Sequence, residues 1–347
     1  MKKRGLRWLI CLALLFSSTS AKAQTVEERL AIVETQNQEL QFQMIQLIQF
    51  IGTLETDFGA ALNKIADLES TLAGVSRNGN TLLLEGMNLQ VVSGSGVTDG
   101  TVNSLGNVII GYNEIIYPFL GIIGPGSNKT GSHNLVVGKG LNYSSYGALV
   151  SGLNNISAGQ YASVTGGERN RALGNNSSVN GGSLNVARGS SSSVSGGFNN
   201  AASGAFSMVS GGERNTTKGS YSSVSGGQGN NARGSWSSVS GGSGNTASGL
   251  DSSIGGGLWN TTPGNYSSIS GGIRNTAEGV YSYAGGGSNN TASGVTSSVS
   301  GGRDNTASGE SSSISGGGNN TASAPGSSVN GGGGNTASGE SSSISGG

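Results

Sequence analysis

The chain has 347 residues, 65 of them glycine, and only 10% are charged, with 18 basic residues balancing 18 acidic ones. Its second half holds so few large apolar side chains that a conventional globular core is excluded. A formal charge of zero, with no basic block, argues against nucleic acid as a partner.

The first 23 residues read as a signal peptide. Lys2, Lys3, Arg4 and Arg7 precede a short apolar run from Trp8 to Phe16, and Ala21-Lys22-Ala23 is an A-x-A cleavage site. The run is too short to cross a bilayer, so the mature chain is expected to have no transmembrane segment. Cys11, the only cysteine, lies inside this run. A mature chain without thiols has no disulfide and no cysteine metal site. Export without disulfides fits a bacterial cell surface or an extracellular setting.

Residues 24–76 carry a coiled-coil pattern. Leu30, Asn37, Met44, Ile51, Phe58, Ile65 and Leu72 occupy one heptad position, and Val26, Val33, Leu40, Leu47, Leu54, Ala61, Leu68 and Val75 the other. Asn37 is a polar break that fixes register at some cost in stability. Ile32, Phe42, Ile45, Ile48 and Phe50 widen the stripe, which favours more than two strands.

Residues 77–158 read as a transition of irregular β-coils. Thr81 to Leu84 and Leu89 to Val92 are short apolar runs between Gly, Ser and Asn. Asn107 to Gly111, Asn134 to Gly138 and Gly147 to Gly152 each end an apolar run in glycine. The apolar stretch 115–130 is predicted to be a projecting loop, either a contact site or a cap on the stack.

Residues 159–347 repeat with a period of 15 and the form S-S-V-S-G-G-x-x-N-T-A-S-G-x-x. Val164, Val179, Val194, Val224 and Val239 mark an inward column, and Asn170, Asn185, Asn215 and Asn245 a second column at fixed offset. Each half-repeat is expected to be a short strand with one inward apolar residue and a glycine turn. The asparagines suit turns because they tolerate the left-handed conformation. Such a period means a solenoid with coils stacked about 4.8 Å apart. One Val and one Ala per coil is a thin core, which predicts that several chains share the interior. The pattern stops mid-repeat at Ser345-Gly346-Gly347, as expected of a truncated fibre or one completed by something else.

The half-repeats S-V-S-G-G and N-T-A-S-G resemble the YadA-like head repeats of trimeric autotransporter adhesins, over roughly residues 134–347. That resemblance implies a homotrimer in which a left-handed parallel β-roll joins a coiled-coil stalk, with the head binding host or matrix surfaces. Three features depart from the family. The coiled coil precedes the repeats, the period is longer than is common there, and the chain shows no membrane-anchor barrel.

Chemistry is sparse. His133 is the single histidine and has no cysteine or acid pair near it in sequence, so no enzyme activity is expected. Asp251 and Asp304 are the only aspartates of the repeats, whereas a calcium-binding roll needs one per turn. No cofactor or metal site is expected.

Two outward columns are candidates for binding. Tyr161, Phe206, Tyr221, Trp236, Tyr266 and Tyr281 share one register, as a stripe for a glycan or protein surface or as a stabilising ladder. Thr216, Thr246, Thr261, Thr276, Thr291, Thr306, Thr321 and Thr336 form a hydroxyl ladder of the kind an ice-binding solenoid uses. The sequence therefore predicts an all-β solenoid, a trimeric parallel β-roll of about 15 residues per coil behind an α-helical coiled coil. Its expected role is an adhesin-like fibre that contacts a host, matrix or cell-surface protein or glycan. The alternatives are ice binding and a passive structural or phage-like fibre component.

Overall fold

The computed structural model describes residues 25–115 and 127–347. The expected signal peptide with Cys11 and most of the expected 115–130 loop lie outside the described residues. The chain divides into two compact units after Leu89.

The first unit is a long helix and a hairpin. Helix α1 (Val26–Thr71) spans 46 residues and opens on a capping box. The Glu28 N–H donates to Thr25 Oγ1 at 3.3 Å, and the Thr25 N–H donates to Glu28 Oε2 at 3.0 Å. Glu27 and Glu28 also place negative charge in the first turn, where the helix dipole favours it. No residue of α1 is buried. Leu40 is 64% exposed and Phe50 63%, so the heptad stripe is bare among the described residues. The helix ends before the last two heptad positions: Leu72 is its C-cap and Val75 begins strand β1 (Val75–Asn78). Strand β1 pairs antiparallel with β2 (Thr81–Leu84).

The second unit is a parallel β-solenoid with two long sheets, one of 16 strands and one of 14, each joining consecutive coils in chain order. A third line of single parallel bridges runs between them, from Leu153↔Glu168 to Gly318↔Gly333. The first sheet starts at β3 (Val108–Ile110) and β4 (Leu135–Lys139). After a first step of 27 residues from β3 to β4, the early coils step by 14, as in the bond from the Ala148 N–H to Asn134 Oδ1, and the later ones by 15. The transition segment is thus the start of the same stack. It is filled by the larger side chains Val136, Leu141, Tyr143 and Val150.

Each later coil turns four side chains inward, not two. Val179, Asn185 and Ala187 are wholly buried and Ser177 nearly so, and their equivalents repeat along the axis. The interior expected to be shared among chains is closed by a single chain, so the physical case for association rests on α1. The asparagines are not in the left-handed conformation. That conformation falls on the residue before each one, such as Arg169, Leu184 and Arg214. The asparagine amide points inward instead and links the coils. The Asn185 N–H donates to Asn170 Oδ1 at 3.0 Å, while Asn185 Nδ2 donates to the Gly181 and Gly197 carbonyls at 2.9 Å. This ladder runs unbroken from Asn155 to Asn335.

Candidate binding surface

The aromatic column occupies the second of the two left-handed positions that non-glycine residues hold in each coil. Tyr161, Phe206, Tyr221, Trp236, Tyr266 and Tyr281 have φ between 54° and 59°. Bulky side chains seldom adopt this conformation. Here the turn is pinned by the coil before it: the Tyr221 N–H donates to the Ala205 carbonyl and the Trp236 N–H to the Ser220 carbonyl, each at 2.9 Å. The side chains are thereby thrown outward, and Trp236 is 57% exposed.

The column does not form one continuous surface. Phe206 and Tyr221 stack with centroids 4.9 Å apart and planes 4° apart, and Tyr221 stacks on Trp236 at 5.5 Å and 2°. Tyr266 and Tyr281 form a separate stack at 4.9 Å and 11°. Asp251 holds the slot between the two stacks. Tyr161 stands apart and meets Tyr146 edge-on, with centroids 5.1 Å apart. Sequence reasoning passed over Tyr146, although it lies one period before Tyr161 and its position in register could have identified it.

Trp259 was also passed over. It sits in the other left-handed position, before Asn260, and the guanidinium carbon of Arg274 lies 4.9 Å from its ring centroid. The two residues are one period apart, a spacing that places neighbours in the ladder one above the other.

The threonines share one face of the 14-stranded sheet. Thr246, Thr261, Thr276, Thr291, Thr306, Thr321 and Thr336 pair in register without a break, and Asn231 separates them from Thr216. Their side chains point away from the buried alanines.

His133 braces the start of the solenoid. The Ser93 N–H donates to His133 Nε2 at 3.0 Å, so the ring proton resides on Nδ1, which donates to the Thr98 carbonyl at 3.1 Å. Both nitrogens tie residues 93–98 to the coil. Among the described residues no group of three His, Cys, Asp or Glu side chains could hold a metal ion. No helix among them is long and apolar enough to cross a membrane. The sequence matches no family model and no curated protein.

Proposed function

We propose that this chain is an exported, non-enzymatic fibre of the bacterial cell surface or extracellular space, bundled through α1 and attached to other surfaces through its solenoid. The supporting observation is the combination of a helix whose whole apolar stripe is bare with a β-stack that is closed in itself. A helix of this length with so much exposed apolar surface needs partners, and heptad spacing makes copies of itself the natural ones. The widened stripe and the resemblance to YadA-like head repeats favour three copies. The leader pattern of the first 23 residues supports export.

The aromatic column is the proposed contact surface, offering a protein or glycan partner rigid rings at low entropic cost. Replacing Tyr221, Trp236 and Tyr266 together by Ser is expected to reduce adhesion of the purified fibre to cells or matrix at least about fivefold. Ser191, Ser311 and Ser341 fill the same slot in other coils, so the fold tolerates the change. Unchanged adhesion in a plate or flow assay would return the rings to a purely structural role.

The unbroken threonine ladder supports a second reading, ice binding. Seven in-register hydroxyl-bearing side chains at about 4.8 Å spacing form a regular polar face. On that reading the purified chain shows thermal hysteresis that disappears when Thr276, Thr291 and Thr306 become Lys. Absence of hysteresis at millimolar concentration removes it.

A further inference from the structure

The interruption of the aromatic column at Asp251 has the geometry of a binding slot. Trp236 has one face covered by Tyr221, and Tyr266 has one face covered by Tyr281. Because rings one coil apart stack in each group, the uncovered face of each lies on the side of the coil that carries Asp251. Two coil steps separate them, about 9.6 Å at the usual strand spacing. A flat group placed midway would lie about 4.8 Å from each ring, inside the roughly 6 Å range of a cation–π contact. Asp251 projects from the same outward, left-handed position (φ 53°) and is exposed. Its carboxylate has no hydrogen-bond or ion-pair partner among the described residues, and its backbone is held by the Ser235 carbonyl at 2.9 Å.

We propose that Trp236, Asp251 and Tyr266 form a recognition slot for a guanidinium group, supplied by an arginine side chain of a partner polypeptide. The choice of a cation follows from the unpaired carboxylate at the base. The choice of guanidinium over ammonium follows from shape, because a planar group can face both rings at once while its edge donates to the carboxylate. The chain already uses this contact internally: Arg274 lies over Trp259 at 4.9 Å, one coil above it, at the spacing the slot requires. A neutral ring would fit the gap but would leave the carboxylate facing an apolar edge. This inference deepens the reading of the aromatic column as a contact surface and rests on it.

The test uses the chain from Gln24 onward with Trp259→Phe, so that Trp236 is its sole indole. The probes are capped Gly-Arg-Gly, Gly-Lys-Gly and Gly-citrulline-Gly peptides, read by Trp236 fluorescence. The arginine peptide is expected to bind about tenfold more tightly than the citrulline peptide, and more tightly than the lysine peptide. Asp251→Asn is expected to remove most of that preference. Asp251→Tyr, which fills the gap with a ring, is expected to abolish binding while the β-sheet circular dichroism is kept. Equal responses to arginine and citrulline, an unchanged affinity in Asp251→Asn, or no response to any peptide would each overturn the proposal. Failure here leaves column-wide adhesion intact in the Tyr221, Trp236 and Tyr266 serine variant's assay, so the two readings fail separately.

Discussion

Asn230→Ala is expected to destabilise the solenoid by about 2–6 kcal/mol, while Asn231→Ala, one residue along, changes stability by no more than about 0.5 kcal/mol. The Asn230 amide sits in the interior. Its Oδ1 accepts from the Asn245 N–H at 3.0 Å, and its Nδ2 donates to the Gly226 and Gly242 carbonyls at 2.9 Å. The Gly242 carbonyl also accepts from the Gln228 N–H and keeps that bond. The buried Asn245 N–H and the half-buried Gly226 carbonyl lose their only partners among the described residues, and an unsatisfied buried group costs about 1–3 kcal/mol. Asn230→Asp is expected to be worse than Ala at neutral pH, because a carboxylate oxygen would face two carbonyl oxygens with no donor between them. Asn231 lies on the outer face between Thr216 and Thr246, so its loss leaves the ladder intact. Denaturant unfolding checks the ranking. In a stack whose coils touch only their neighbours, the Asn230 defect is also expected to split the calorimetric transition in two. Equal effects at the two positions would contradict the internal ladder.

A second pair of neighbours separates by a comparable margin. Gly182→Ala is expected to cost at least about 4 kcal/mol, and Gly181→Ala less than about 0.5 kcal/mol. Gly182 has φ +77°, and a Cβ there would lie 2.2 Å from the Gly197 carbonyl oxygen and 2.6 Å from Asn185 Nδ2. The first of these is backbone of the next coil and the second is locked in the asparagine ladder, so neither gives way without opening the stack. Gly181 is outside the left-handed region, and a Cβ there meets nothing within 4 Å. Removing chain entropy at such a position can even stabilise slightly. Unfolding midpoints of the two single variants settle the comparison. A tolerated Gly182→Ala would mean that the coils are less closely stacked than described.

These pairs show where the sequence was legible and where it was not. The solenoid, its period and its valine column follow from the constant 15-residue spacing, because a stack of parallel coils places residues one period apart on top of one another. The direction of each side chain was harder to read. Asparagine occurs in turns far more often than in cores, so the Asn170 column read as a turn; only the coil-to-coil bonds show that a buried amide is satisfied there. Ser177 and its equivalents are small and polar, and nothing in their identity marks them as interior. Both glycines of the Gly181-Gly182 pair read as turn residues, yet only the second requires glycine. The aromatic register was legible, but its break at Asp251 was not read, and the stacking depends on ring orientation, which the spacing does not give. The expectation of a shared interior failed for a related reason. Counting apolar residues alone omitted the two polar columns that fill the coil.

With the interior closed in one chain, the proposed association of chains rests on α1 alone. The direct measurement is the mass of the intact mature chain by sedimentation equilibrium, beside a variant with Leu40, Leu47 and Leu54 changed to Lys. The expected result is about three copies for the intact chain and one for the variant, with the same β-sheet circular dichroism in the solenoid. A single copy for the intact chain, or an unchanged assembly in the variant, would contradict a fibre bundled through its helix.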